Sequence, residues 1–262
     1  MGEILGREIP GAEAVTERAW SAQMEARIEQ MGISCDGRTP ERIARYHALL
    51  CDWNTRMNLT GDTEFAVALD RLYADSLAPL GLEGVFPQGA RLIDVGSGAG
   101  FPGLPLAIAR PDLQVTLLDS LGKRISFLAA VVDALGLKNV RLVHARAEDG
   151  GRDPAHRERY DVAAARAVAP LPVLCELLMP FVRVGGHMAC YKGPAASVEL
   201  EAGERAAKLL GGGMVSALPV AIPSQPEWQH CVLLCRKEQK TVRQYPRKAG
   251  TPSREPLGGF VK

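Results

Sequence analysis

The stretch Leu92-Ile93-Asp94-Val95-Gly96-Ser97-Gly98-Ala99-Gly100-Phe101-Pro102-Gly103 decides how the rest of the chain is read. A short apolar strand runs into a Gly-x-Gly-x-Gly turn, and Pro102 then suits the first turn of a helix. Glycine lets the backbone turn tightly and approach a ligand without a Cβ in the way. The helix start beyond the turn offers amides that attract a carboxylate or a phosphate. In an open α/β sheet such a turn sits at the carboxyl end of a central strand, where ligands bind.

Outward from the turn, residues 89–192 alternate strand and helix. Arg91–Val95, Gln114–Leu118, Val140–His144, Tyr160–Ala164 and His187–Tyr191 read as strands, and Lys123–Leu135 as a helix with Ile125, Leu128, Val131, Val132 and Leu135 inward. This alternation implies a doubly wound α/β fold with a parallel sheet covered on both faces. Upstream, residues 1–88 read as a helical extension. Thr16–Met31 carries Trp20, Met24 and Ile28 at helical spacing, Thr39-Pro40 opens a second helix, and Glu64–Leu80 a third. Downstream, a helix over Ala195–Leu210 precedes strands Met214–Leu218 and His230–Arg236, so the main domain spans 89–236. Residues 237–262 read as a polar, basic tail.

Composition narrows the class. A chain of 262 residues that is 47% hydrophobic can bury a real core, and a net charge of +1 leaves any nucleic-acid surface to be local. Met1–Pro10 lacks the apolar core of a signal peptide, and no run reaches membrane-span length, so a cytoplasmic protein is expected. The six cysteines form no Cys-x-x-Cys pair and read as small buried residues of a reducing compartment, with no metal expected.

The acid that ends the second strand, Asp119, lies about twenty residues beyond the turn, where a carboxylate accepts from ribose hydroxyls. Turn and acid together point to a nucleoside-containing cofactor. Gly98 to Gly103 also satisfies the dinucleotide pattern Gly-x-Gly-x-x-Gly, but Asp94 before the turn and Phe101-Pro102 at the helix start suit a pyrophosphate poorly. S-adenosylmethionine is the favoured cofactor. A nicotinamide or flavin nucleotide and a purely structural turn are the alternatives.

Further blocks carry a family resemblance: Trp53-Asn54-Thr55-Arg56-Met57-Asn58-Leu59-Thr60, Leu117-Leu118-Asp119-Ser120-Leu121-Gly122-Lys123-Arg124, Arg146-Ala147-Glu148, Ala165-Arg166-Ala167, Tyr191-Lys192-Gly193 and Tyr245-Pro246-Arg247-Lys248-Ala249-Gly250-Thr251-Pro252. From about residue 40 to residue 257 the chain resembles the RsmG (GidB) family of bacterial 16S ribosomal RNA guanine-N7 methyltransferases. The resemblance implies a class I S-adenosylmethionine-dependent methyltransferase fold, the small ribosomal subunit as partner, and donor contacts at Gly96, Phe101, Ala147-Glu148 and Arg166. It departs at Leu72, where Arg71-Leu72-Tyr73-Ala74-Asp75-Ser76 has leucine for a histidine frequent in the family.

Asp94, Gly96, Ser97, Gly98, Gly100, Phe101, Asp119, Ser120, Ala147, Glu148 and Arg166 form the expected donor site, with Arg166 and Asp94 as candidate catalytic residues. Asp94 would orient the turn or the donor's ammonium, against a plain helix cap. Glu148 would act through its backbone or as a cap. Lys123, Arg124, Lys192, Arg247 and Lys248 are candidate phosphate contacts. Phe101 or Tyr245 could stack a base, against simple core packing. Guanine N7 carries a free lone pair, so methyl transfer needs no general base, and none of the five histidines is nominated. Nothing in the pattern calls for an obligate assembly, and a monomer is expected.

Overall fold

The computed structural model describes residues 17–166 and 169–259. Met1–Pro10, Thr16 and Ala167 lie outside the described residues. Seven strands form one sheet in the order β3-β2-β1-β4-β5-β7-β6. They are β1 (Arg91–Val95), β2 (Gln114–Asp119), β3 (Val140–His144), β4 (Tyr160–Arg166), β5 (Val182–Lys192), β6 (Gly212–Val220) and β7 (His230–Lys237). The first five are parallel, as the strand–helix alternation predicts. β7 enters antiparallel to both β5 and β6. A hairpin-like return was not written in the residues as a helical crossover would be, because 221–229 holds two prolines and no helical period.

The strands show why both faces are covered. Along β1, Leu92 faces one cluster with Leu117, Val162, Ala189 and Val232. Its neighbour Ile93 faces the other, with Leu118, Ala163, Met188, Cys190 and Leu233. This is the two-residue alternation of a pleated strand, here apolar on both sides. β5 starts five residues before the expected His187. Arg183 and Gly185-Gly186 break the apolar pattern there, and pairing with β4 crosses a register shift between Tyr160 and Val162.

The helices α5 (Gly103–Ala109) and α6 (Gly122–Leu135) cover the first face. α6 stops where Gly136 takes a left-handed φ of 61°. The N-terminal helices α1 (Glu17–Met31) and α2 (Thr39–Asn54) pack on that layer, with Trp20, Met24, Ile43, Tyr46 and Leu50 buried. Trp20 stacks on His47 at 3.6 Å between ring centroids, and His47 meets the Tyr73 hydroxyl at 3.0 Å. Burial pushes the His47 imidazole down to about 4, so it sits there as a neutral ring. The second face carries α8 (Leu171–Leu178) and α9 (Ala196–Leu209). Between the layers, α7 (Ala147–Gly150) follows β3.

The third expected helix is helical but not regular. It runs through α3 (Phe65–Ala68), a π-helical turn Leu69–Ala74, α4 (Asp75–Leu77) and a 3₁₀ turn Ala78–Gly81. Single π turns of this kind recur at functional sites. Two acids five apart, Asp70 within it and Asp75 just beyond it, are both buried and both paired.

Gly103 opens α5 where β1, β2 and the helix converge. A Cβ there would lie 2.3 Å from Leu117 Cδ2 and 2.7 Å from Asp94 Oδ2, neither able to retreat from the core. Gly103→Ala should therefore lower the unfolding free energy by roughly 1–3 kcal/mol. Urea denaturation of the two proteins checks this, and an unchanged midpoint would contradict the close approach.

Candidate active site

Three glycines give the turn its shape, with φ of 77° at Gly96, 58° at Gly98 and 102° at Gly100. Carboxylates hold it from outside. Asp94 ends β1 fully buried, and its Oδ2 accepts the Gly103 amide at 2.9 Å, which caps α5. Asp119 ends β2; its Oδ2 accepts the Gly98 amide at 2.9 Å and its Oδ1 the Leu121 amide at 2.9 Å. The amides of Gly96 and Ser97 donate to the Leu118 carbonyl, and those of Gly100 and Phe101 to the Ser97 carbonyl. These amides are thus consumed inside the protein. The expectation of open amides at the helix start is corrected: the Gly103 amide goes to Asp94 and the Leu104 amide to the Gly100 carbonyl. From the helical layer, the Tyr46 hydroxyl donates to the Ala99 carbonyl and its ring stacks on Phe101 at 5.6 Å.

Over the carboxyl ends of β1 to β4 lies a cavity of about 520 Å³. Gly96, Ser97, Gly98, Phe101, Asp119, Ser120, Ala147, Glu148 and Arg166 all line it, as the sequence reading groups them. Asp94 and Gly100 do not. Gly100 faces inward, where a Cβ would meet Leu104 at 2.5 Å and the Tyr46 hydroxyl at 2.8 Å. Asp94 lies behind the turn, with Oδ1 buried and unpartnered. Burial raises its carboxyl to about 7, against the lowering pull of the Gly103 amide and of Arg166. Leu59, Thr60, Leu72 and Ser253 also line the cavity and were not singled out as site residues. Leu72 itself fills the position where the family often has histidine, as an apolar wall.

Arg166 ends β4 on the border of this cavity and a second cleft. Its Nη1 donates to Asp75 Oδ2 at 2.9 Å and to the Leu72 carbonyl at 3.3 Å, and its guanidinium lies 5.3 Å from the Phe101 ring centroid. Phe101 is therefore held between Tyr46, Tyr73 and a cation, a core ring with one edge on the cavity.

The basic candidates separate into three kinds. Lys123 is exposed, and Arg124 reaches Asp119 at 3.3 Å while lining both the cavity and a shallow cleft with Asn54 to Leu59. Lys192 is tied to Glu199 at 2.6 Å, and Lys248 is exposed. Arg247 is committed elsewhere. It grips Glu176, which is fully buried, through both Nε and Nη2, and donates to the Glu255 carbonyl. The expected phosphate contact at Arg247 is corrected to a structural clamp.

That clamp belongs to a tail that is packed rather than loose. Lys237 is buried and donates to Met179, Val182 and Thr241, and burial lowers its amine to about 8. Arg157 donates to the Thr241 and Tyr245 carbonyls, and Arg152 to that of Pro246. Glu148 Oε1 accepts the Gly250 amide at 2.8 Å, so its carboxylate holds the tail while Ala147 and Glu148 line the cavity. The helix α10 (Thr251–Arg254) thereby brings Ser253 to the cavity wall.

A turn held by two strand-end acids, a cavity above it and a 3-2-1-4-5-7-6 sheet accompany a family match. The family model for rRNA small subunit methyltransferase G matches residues 39–225. The chain belongs to this family. Among its relatives, each named ribosomal RNA small subunit methyltransferase G, that of Alkaliphilus oremlandii is 45% identical over 216 residues, covering 82% of this chain and 90% of that one. That of Alkaliphilus metalliredigens is 42% identical over 229 residues (87% and 95%), and one from Streptococcus pyogenes 41% over 230 residues (88% and 96%). Among solved structures, a mutant of MtNAS aligns over 82% of each chain with a TM-score of 0.50 and 15% identity, a likeness of fold alone. The family assignment agrees with the resemblance read from the sequence.

Two outcomes follow for this family member. The Asp94 carboxyl holds its proton more tightly in the fold than in the unfolded chain. Its contribution to stability is thus full below the unfolded value near 4 and is lost as pH rises through about 7. Asp94→Asn should remove that loss, so thermal unfolding at pH 5 and pH 8 should differ less in the variant than in the natural chain. Arg247→Ala strands Glu176 in the core and should destabilise by roughly 3 kcal/mol, with Glu176→Gln in the same chain recovering part of it; guanidinium titration measures both.

Proposed function

We propose that this protein transfers a methyl group from S-adenosylmethionine to N7 of a guanine in 16S ribosomal RNA of the small subunit. The observation that carries this is the turn whose amides are already satisfied, with the Asp119 carboxylate on the cavity wall. A pyrophosphate would need those amides. A nucleoside cofactor without phosphate does not, and it gains from an acid that meets its ribose. In this reading Gly96, Ser97, Gly98 and Phe101 shape the donor's seat, Asp119 and Ser120 meet the ribose, and the Ala147-Glu148 backbone meets the adenine. Asp94 stands behind the seat and supports it through the Gly103 amide.

The donor supplies an electrophilic methyl on a sulfonium. The chain's own part is to position. In-line attack by the N7 lone pair forms the N7–C bond as the S–C bond breaks, leaving neutral S-adenosylhomocysteine and a cationic 7-methylguanine. No proton leaves first, so no base is required. Holding the two atoms in line can supply roughly 7–11 kcal/mol of the barrier. Arg166, between donor cavity and second cleft, fits a role in aligning the two. Lys123, Arg124, Lys192 and Lys248 fit contacts to RNA phosphates. In this reading the protein acts as a monomer, and a ribosomal substrate places its work in the cytoplasm.

The test supplies methyl-labelled S-adenosylmethionine and small subunits from a strain lacking the activity, followed by digestion to nucleosides. Labelled 7-methylguanosine is expected. Asp119→Ala should abolish most of it and weaken S-adenosylhomocysteine binding at least tenfold, through loss of a charge-assisted contact. Protein that binds S-adenosylhomocysteine yet labels no ribosomal RNA would overturn the substrate and keep the donor site.

A further inference from the structure

Beside the donor cavity lies a second cleft of about 440 Å³, over the carboxyl ends of β4, β5 and β6 and the start of β7. Arg166 walls both spaces. Because β7 runs antiparallel, its first residue, His230, stands at this edge of the sheet and lines the cleft. Two contacts fix the imidazole, and a third fixes its carboxylate partner. Nδ1 meets Asp75 Oδ1 at 2.7 Å, and the same carboxylate takes Arg166 through its other oxygen at 2.9 Å. Trp228 stacks on the ring at 5.0 Å and 25°. The loop that carries Trp228 is pinned in turn, with Gln225 donating to buried Asp70 at 2.8 Å.

Methyl transfer at the donor cavity, as described above, uses Arg166 but neither Asp75 nor His230. A carboxylate ion-paired to arginine only accepts, so His230 Nδ1 carries the proton. In the neutral ring Nε2 is then an acceptor, on a residue that lines the cleft. The rim also carries Arg71 and Lys192, each paired with an acid, Asp62 at 3.5 Å and Glu199 at 2.6 Å.

We propose that this cleft receives the acceptor purine, and that His230 reads it as guanine by accepting its N1–H at Nε2. The proposal rests on the ribosomal-RNA reading above. Adenine presents a lone pair at N1, which would face the Nε2 lone pair and be repelled. N1 and N7 belong to neighbouring edges of a purine, divided by the 6-substituent. A base gripped at N1 by His230 therefore keeps its N7 edge free, and Arg166 lies on the border between this cleft and the donor cavity. The base must leave its stack to enter, and Trp228 beside the ring provides an aromatic border for it. His230 is thus a specificity residue, and Asp75 and Trp228 position it.

The test compares the natural chain with His230→Phe, which keeps the stack on Trp228 and removes Nε2, and with His230→Gln, whose carbonyl restores an acceptor. Each is assayed on unmethylated small subunits carrying guanosine at the labelled position, and on subunits with adenosine placed there. His230→Phe should lower kcat/KM on guanosine subunits roughly ten- to a hundredfold, the range of one good edge contact. It should shrink the preference for guanosine over adenosine by a similar factor and leave S-adenosylhomocysteine Kd within about twofold. His230→Gln should recover part of both effects. An unchanged kcat/KM, an equal fall on both subunits, or a parallel loss of S-adenosylhomocysteine binding would overturn the assignment. No transfer by the natural chain would instead bring down the reading on which it rests.

Discussion

The three glycines of the turn have no side chains with which to hold its shape, and a buried amide left without an acceptor costs on the order of 1–3 kcal/mol. Asp94 and Asp119 resolve both problems at once. They end adjacent strands, and each points an oxygen at an amide of the turn or of the helix beyond it. Strand pairing therefore sets the turn: β1 and β2 are in register from Arg91 and Gln114 onward, which brings the two acids to the same edge of the sheet. The cavity inherits its floor from that arrangement.

The remaining walls come from far along the chain in both directions. Tyr46 of α2 closes the turn from the helical layer, and Leu59, Thr60 and Leu72 follow it. From the other end, Glu148 and Glu176 draw in the segment that carries Ser253. Buried anchoring of this kind, with each charged group matched to a partner, accounts for a Pro- and Gly-rich segment without long secondary structure staying packed on the domain.

The parts of the structure legible in the sequence are those with a local period or a local constraint. The five parallel strands show as apolar runs, the turn as spaced glycines, and α6 as a helical stripe ended by Gly136. What stayed hidden depends on partners that no spacing encodes. Asp75 meets Arg166 across 91 residues and His230 across 155. A basic tail looks the same on paper whether its arginines face RNA or a buried glutamate, so Arg247 could only be placed once Glu176 was seen beside it. The π turn at Leu69–Ala74 is likewise silent, since its residues suit an ordinary helix.

Ser253 on the cavity wall has a consequence for how the protein is born. Translation delivers the glycine turn early and this wall late. While residue 253 is still unmade, the sheet's first strands can pair and the turn can form, yet the space above it stays open on one side. Occupation of a complete cavity must therefore wait for the late residues to dock. A ligand that bridges the early and late walls would then act as a fastener for the last step of folding, stabilising the docked segment in proportion to its binding.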